Sequence, residues 1–242
     1  VSGTAEKIET AREASVRLAA LGTAERARVN RSFFKTGEGQ YGHGDRFAGV
    51  TVPDVRRVAA ACRDLPLEQV LHLLRSEVHE ERLLALLLLV RRYEKGDAPV
   101  RREVYGLYLD NTRYVNNWDL VDASAPGIVG AHLLARSRRV LLRLARSADL
   151  WERRIAVVAT FAFIRRGEFE DTLAVVDRLI SDPHDLIHKA CGWMLREVGK
   201  RDGEVLEAFL AGRYCAMPRT MLRYAIERFP EARRKAYLRG AI

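Results

Sequence analysis

Three stretches of this chain repeat one another: "LHLLRSEVHEERLLALLLLVRRYEKG" from Leu71, "LLRLARSADLWERRIAVVATFAFIRRG" from Leu141 and "VVDRLISDPHDLIHKACGWMLREVGKR" from Val175. Each reads as helix, polar break, helix, basic end. The alanines near the start of the second helices, Ala85, Ala156 and Ala190, are separated by 71 and 34 residues. Half of the larger step predicts a further member near position 120, where "NNWDLVDASAPGIVG" stands, and one more step reaches Ala225 in "MPRTMLRYAIERF". A period of about 35 residues in helical pairs is the pattern of an α-solenoid, in which each pair buries its apolar face only against its neighbours. The tetratricopeptide pattern is absent. The expectation is therefore all-α, a HEAT-like or armadillo-type array whose second helices line a concave, basic groove.

Apolar spacing agrees with this class. Residues recur at i, i+3, i+4 and i+7 over Leu67–Leu74, Leu83–Tyr93, Ile155–Ile164 and Leu173–Ile180, and nothing alternates with the period of a strand. The first 49 residues are out of phase. Thr4–Leu21 reads as one helix, and "FFKTGEGQYGHGDRF", Phe33–Phe47, as a glycine-rich loop. Pro53 suits the first turn of the helix that follows. The expectation is one domain over 1–242, an N-terminal helix and glycine-rich segment over 1–49 and phased repeats over about 50–242.

Composition narrows the setting. The formal charge of +9 and a pI near 9.8 point to a polyanionic partner, although solvated basic faces give the same numbers. The longest apolar run, Leu83–Val90, is too short to span a bilayer, and no charged-then-apolar leader opens the chain, so a cytoplasmic protein is expected. Cys62, Cys191 and Cys215 form no C-x-x-C pair, which argues against disulfides and zinc. The six histidines, among them His79 and the i, i+4 pair His184 and His188, lack metal-ligand spacing. No phosphate-binding or dinucleotide-binding glycine pattern is present, so no metal and no cofactor are expected.

The repeat phase says which residues share a face. Trp118 and Asp122 are four apart on one side of their helix. Arg154, His188 and Arg223 each lie two residues before their marker alanine, and Trp193 lies three after its own. Arg153, Lys189, Arg196 and Arg219 are close by in sequence. Ordinary roles compete for each residue: Trp118 in a core, Asp122 paired with an arginine, Arg153 and Arg154 on a solvated face. Trp193 follows Gly192, where another backbone approaches. Asp119, in the first turn of its helix, is assigned to capping or to the helix dipole.

At "NNWDLVD", "LWERRIA" and "DLIHKACGWMLREVGKRD" the chain resembles the AlkD-type DNA alkylation repair family. "FFKTGEGQYGHGDRFAGVTVP" and "MPRTMLRYAIERFPE" resemble it too, so the likeness runs from about Ser32 to Leu238. It implies a HEAT-like glycosylase acting on duplex DNA and releasing N3- and N7-alkylated purines such as 3-methyladenine and 7-methylguanine; a monomer is expected. It implies Asp122 as the carboxylate, Trp118 and Trp193 as aromatic walls and Arg154 as the phosphate contact, with Arg153 one residue away as the alternative. Arg153, His188, Lys189, Arg196, Arg219 and Arg223 are expected to bind the DNA backbone. The competing expectation is a HEAT-type adaptor that binds DNA or protein without catalysis.

Overall fold

The computed structural model describes residues 7–242. It is all-α: among these residues the only β-type pairing is an isolated bridge between Arg46 and Val78. The chain divides into two compact units, Val1–Ser124 and Ala125–Ile242.

The first unit contains α1 (Ala11–Ala19), α2 (Ala24–Phe33), α3 (Val52–Ala61), α4 (Leu67–Leu74), α5 (His79–Lys95), α6 (Ala98–Asp110) and α7 (Trp118–Ala125), the last ending one residue past the boundary. Helix α1 is shorter than the periodicity suggests. Thr10 closes its start with a capping box, the hydroxyl accepting from the Glu13 amide while the Glu13 carboxylate accepts from the Thr10 amide. Residues 4–6 of the expected helix lie outside the described residues. Helix α3 starts as expected, with Thr51 as N-cap and Pro53 in the first turn. Helix α5 is the centre of the unit: α3, α4 and α6 pack on it, and Leu84, Ala85, Leu86 and Leu89 are fully buried.

The glycine-rich segment between α2 and α3 is irregular but firmly seated. The Arg46 amide donates to the Glu77 carbonyl (3.2 Å) and the His79 amide to the Arg46 carbonyl (2.8 Å). The buried Glu80 carboxylate then accepts three consecutive amides, Ala48 (2.9 Å), Gly49 (2.9 Å) and Val50 (3.2 Å). Gly49 has φ +78°, and a Cβ there would lie 2.2 Å from the Thr23 carbonyl oxygen, so only glycine permits this close approach.

The second unit opens on a π-helical turn (Pro126–Gly130), followed by α8 (Ala131–Leu133), α9 (Arg139–Leu144), α10 (Leu150–Ala159), α11 (Phe161–Ile164), α12 (Glu170–Leu179), α13 (Asp185–Gly199), α14 (Gly203–Ala211), α15 (Arg219–Ala225) and α16 (Glu231–Arg239). The periodic run Ile155–Ile164 is two helices rather than one. It turns at Thr160, whose hydroxyl bonds back to the Val157 carbonyl (2.6 Å) and tightens the backbone there. Helix α13 lies between α10 and α15, and the marker residues Ala156, Ala190 and Ala225 are buried at these contacts. The close approach expected at Gly192 is present: a Cβ there would lie 2.5 Å from the Met221 carbonyl oxygen and 2.5 Å from the Tyr224 Cβ.

Candidate functional site

Helix α7 carries the first half of the expected set, and its first turn is held from outside the helix. Asn117 caps it, its side-chain carbonyl accepting from the Trp118 amide (2.9 Å). The Asn117 amide group in turn donates to Asp45 of the glycine-rich segment (3.2 Å). The Asp45 carboxylate is buried and also accepts from Arg82 Nη2 (2.7 Å) and Asn116 Nδ2 (3.3 Å), and lies 3.4 Å from His79 Nδ1. The other nitrogen of His79, Nε2, meets Asp119 Oδ2 at 2.8 Å. His79 thus joins α5 to the segment on one side and to α7 on the other.

Asp119 stands in the first turn of α7, as the dipole reading expects, but its partner is a buried imidazole rather than a backbone amide, and the Trp118 amide is taken by Asn117. Burial alone would push the His79 pKa down. The hydrogen bonds to Asp119 and Asp45 outweigh burial and raise it to about 9. The charges explain why: two carboxylates and the Arg82 guanidinium leave one negative charge in a buried space, and a proton on His79 cancels it. Burial works against ionised Asp45, yet the His79 bond and the Arg82 charge hold its carboxyl below the usual range.

Trp118 is half-buried and packs on a cluster formed by Ala27, Phe34 and Phe47. Its indole stacks on Phe34 (centroids 5.4 Å apart, planes at 21°) and meets Phe33 edge-on at 5.9 Å. Phe34 and Phe47 also lie against the His79 ring, at 4.9 and 4.7 Å. Phe33 is 61% exposed, so one aromatic face beside Trp118 reaches solvent. Asp122, one turn further along α7, is half-buried as well. Behind the helix the buried Tyr108 hydroxyl pairs with Ser124 Oγ (2.9 Å), and burial, aided by the Asp122 charge, drives the Tyr108 pKa upward.

The remaining expected residues belong to the second unit. Arg154 is buried, with Nη1 on the Leu186 carbonyl (2.6 Å). Arg153 is tied down inside the protein, its Nε on Asp182 (2.7 Å) and its Nη1 on the carbonyls of Ser147 and Ala148. His188 Nε2 faces the Asp182 carbonyl, and His184 caps α13 by accepting from the Leu186 amide. Lys189 pairs with Asp185, and Arg196 with Glu227. Arg219 and Arg223 on α15 are exposed and form no ion pair among the described residues. Trp193 is half-buried and tilted against Phe161 at 5.8 Å, and Arg165 and Arg201 lie over that ring at 4.3 and 5.8 Å.

The chain matches the DNA alkylation repair enzyme family over residues 14–229. It belongs to that family. Membership assigns this DNA alkylation repair protein a role in DNA repair, with DNA as its partner. A solved structure described as a predicted DNA alkylation repair enzyme from Enterococcus faecalis is 16% identical to it, with 87% of this chain and 97% of that chain covered at a TM-score of 0.66. The likeness is one of fold, all-α and solenoid-like. Among curated proteins nothing matches the chain. Among the described residues of this DNA alkylation repair protein no helix is long and apolar enough to cross a membrane, and no group of three or more His, Cys, Asp or Glu side chains is arranged to hold a metal ion.

Sequence reasoning about this repair protein passed over Asp45, His79, Phe33, Phe34 and Asn117. Only Asn117 carried a local signal, as an asparagine directly before a helix. The contacts of Asp45 lie 34 to 72 residues away along the chain, and no periodicity or motif marks them.

Proposed function

We propose that this family member is a monofunctional DNA glycosylase that hydrolyses the bond between deoxyribose and an N3- or N7-alkylated purine in duplex DNA. The observation that supports this best is the face of α7: a half-buried carboxylate, Asp122, one helical turn from a half-buried indole, Trp118, whose ring is braced by Phe33 and Phe34.

An alkylated N3 or N7 makes the purine cationic and therefore a good leaving group. The C1′–N bond breaks, its electron pair stays with the base, and positive charge develops on the sugar. Water attacks C1′ and loses a proton, giving the free base and an abasic site. A fixed carboxylate stabilises the cationic sugar and orients the water, which is the role assigned to Asp122. The electron-rich indole face of Trp118 favours the same charge, and for Trp193 the family resemblance implies an aromatic wall as well. Arg154 is assigned a phosphate, which a guanidinium with five donors binds through its fork. Both Arg153 and Arg154 are hydrogen-bonded inside the protein, so the choice between the neighbours follows the register of the family pattern. The roles of Arg154 and Trp193 rest on the family pattern. No lysine is assigned to Schiff-base chemistry, so the strand stays intact.

Incubation with methylated duplex DNA should release 3-methyladenine or 7-methylguanine without strand cleavage. Retained DNA binding with no base released would instead indicate a non-catalytic adaptor. Binding should weaken steeply with salt, because phosphate contacts displace counterions. Arg219→Ala and Arg223→Ala should each lower the log–log salt slope by about 0.9, the value of one lost phosphate contact. Arg153→Ala should leave the slope nearly unchanged and cost folding stability, since it removes the partner of buried Asp182. Affinity indifferent to salt would refute this account of binding.

A further inference from the structure

The glycine-rich segment reaches further than its position in the chain suggests. Its single buried carboxylate, Asp45, is ringed by donors from one helix and the turn before α7: His79 and Arg82 from α5, and Asn116 and Asn117. The residues on both sides of Trp118 are held by this cluster, Asn117 directly and Asp119 through His79. Phe34 and Phe47, at the two ends of the segment, stack on each other and both lie against the His79 ring, and Phe34 continues onto the indole itself.

We propose that Asp45 is a positioning residue for base release, a clamp that acts through Asn117 and the His79–Asp119 pair to hold the first turn of α7, and with it Trp118 and Asp122, in working orientation. This rests on the reading of Trp118 and Asp122 as the reacting face.

Stability alone is a poor explanation for such a cluster. Four ionisable groups are withdrawn from water here, and their mutual attraction largely offsets the cost of desolvating them. Apolar packing would hold the unit together as well. What apolar packing lacks is direction. Hydrogen bonds to both neighbours of Trp118 fix the rotation of the turn, and with it the height and tilt of the indole. A displacement of about 1 Å in such a residue can lower a rate as much as a hundredfold.

The charged groups facing His79 are Asp45 from the segment, Asp119 from α7 and Arg82 from α5. Because the folded His79 titrates at about 9, above its ordinary 6.5, its contribution is complete below about pH 6.5 and is lost as the pH rises through 9. Positioning by the clamp follows the same course.

The test follows the Trp118 indole N–H resonance, assigned by its loss in Trp118→Phe, together with single-turnover release of 7-methylguanine from methylated duplex DNA. In Asp45→Asn the resonance should shift and release should slow roughly tenfold to a hundredfold, while affinity for undamaged DNA stays within about twofold. His79→Gln, which keeps a donor for Asp119 but not the charge, should behave likewise. In the natural chain the Trp118 resonance should follow the titration of the His79 ring. Normal release in folded Asp45→Asn overturns the proposal, as does slowed release with an unmoved Trp118 signal. If Asp45→Asn does not fold, the pH titration of the natural chain decides: a Trp118 signal that ignores His79 overturns it. If the natural chain releases no base, the glycosylase reading fails, and the resonance still reports on the clamp.

Discussion

Asp122→Asn should bind duplex DNA as tightly as the natural chain and release 7-methylguanine a few hundred times more slowly. Asparagine nearly matches aspartate in size, so the half-buried position on α7 keeps its packing and the Tyr108–Ser124 pair behind the helix stays in place. What disappears is the full negative charge that the proposed mechanism directs at the sugar. A preorganised electrostatic contact of this kind is commonly worth about 3–4 kcal/mol of barrier. Phosphate contacts are untouched, so affinity and its salt slope should not change. Single-turnover release, measured beside a melting curve, separates chemistry from folding. Full activity in Asp122→Asn would remove the carboxylate from the mechanism.

The largest effect on stability is expected from Glu80→Ala. The Glu80 carboxylate accepts three successive amides of the segment. Alanine leaves those donors without a partner, two of them buried and one half-buried, and each unsatisfied buried group costs about 1–3 kcal/mol. Partial relaxation of the backbone lowers the sum, and a loss of about 3–4 kcal/mol is the expected result. That corresponds to roughly 6–16 °C in melting temperature for a chain of this size. Glu81→Ala is the control: its side chain holds none of these amides, and the change should stay within about 0.5 kcal/mol. Equal melting curves for the two variants would show that the segment is held by something other than Glu80.

Helices were legible in the sequence wherever the signal was local. The apolar spacing over Leu67–Leu74 coincides with α4, Pro53 sits in the first turn of α3, and the repeat markers Ala85, Ala156, Ala190 and Ala225 are buried. The errors arose where a side chain took a partner that periodicity does not encode. Thr10 delayed the start of α1 by capping it, and Thr160 split a run that is otherwise apolar. Asp119 has the position of a first-turn acidic residue, yet its partner is an imidazole 40 residues away. The site divides in the same way. Trp118 and Asp122 could be paired by counting, because four residues make one helical turn. Asp45 and His79 could not, because their roles exist only once α5, α7 and the segment have come together.

The reach of Asp45 has a consequence for how the first unit folds. Helical repeat arrays assemble chiefly from neighbours, so that one pair can form without waiting for distant parts of the chain. Asn116 and Asn117 wait for a carboxylate 71 and 72 residues upstream. Closing so long a loop carries an entropic cost that short-range contacts avoid. The start of α7 is therefore expected to lock late in the folding of the unit, and to open together with the segment rather than by fraying on its own. In the native protein the amides of Gly49 and Trp118, far apart along the chain, should exchange with solvent as a single cooperative group.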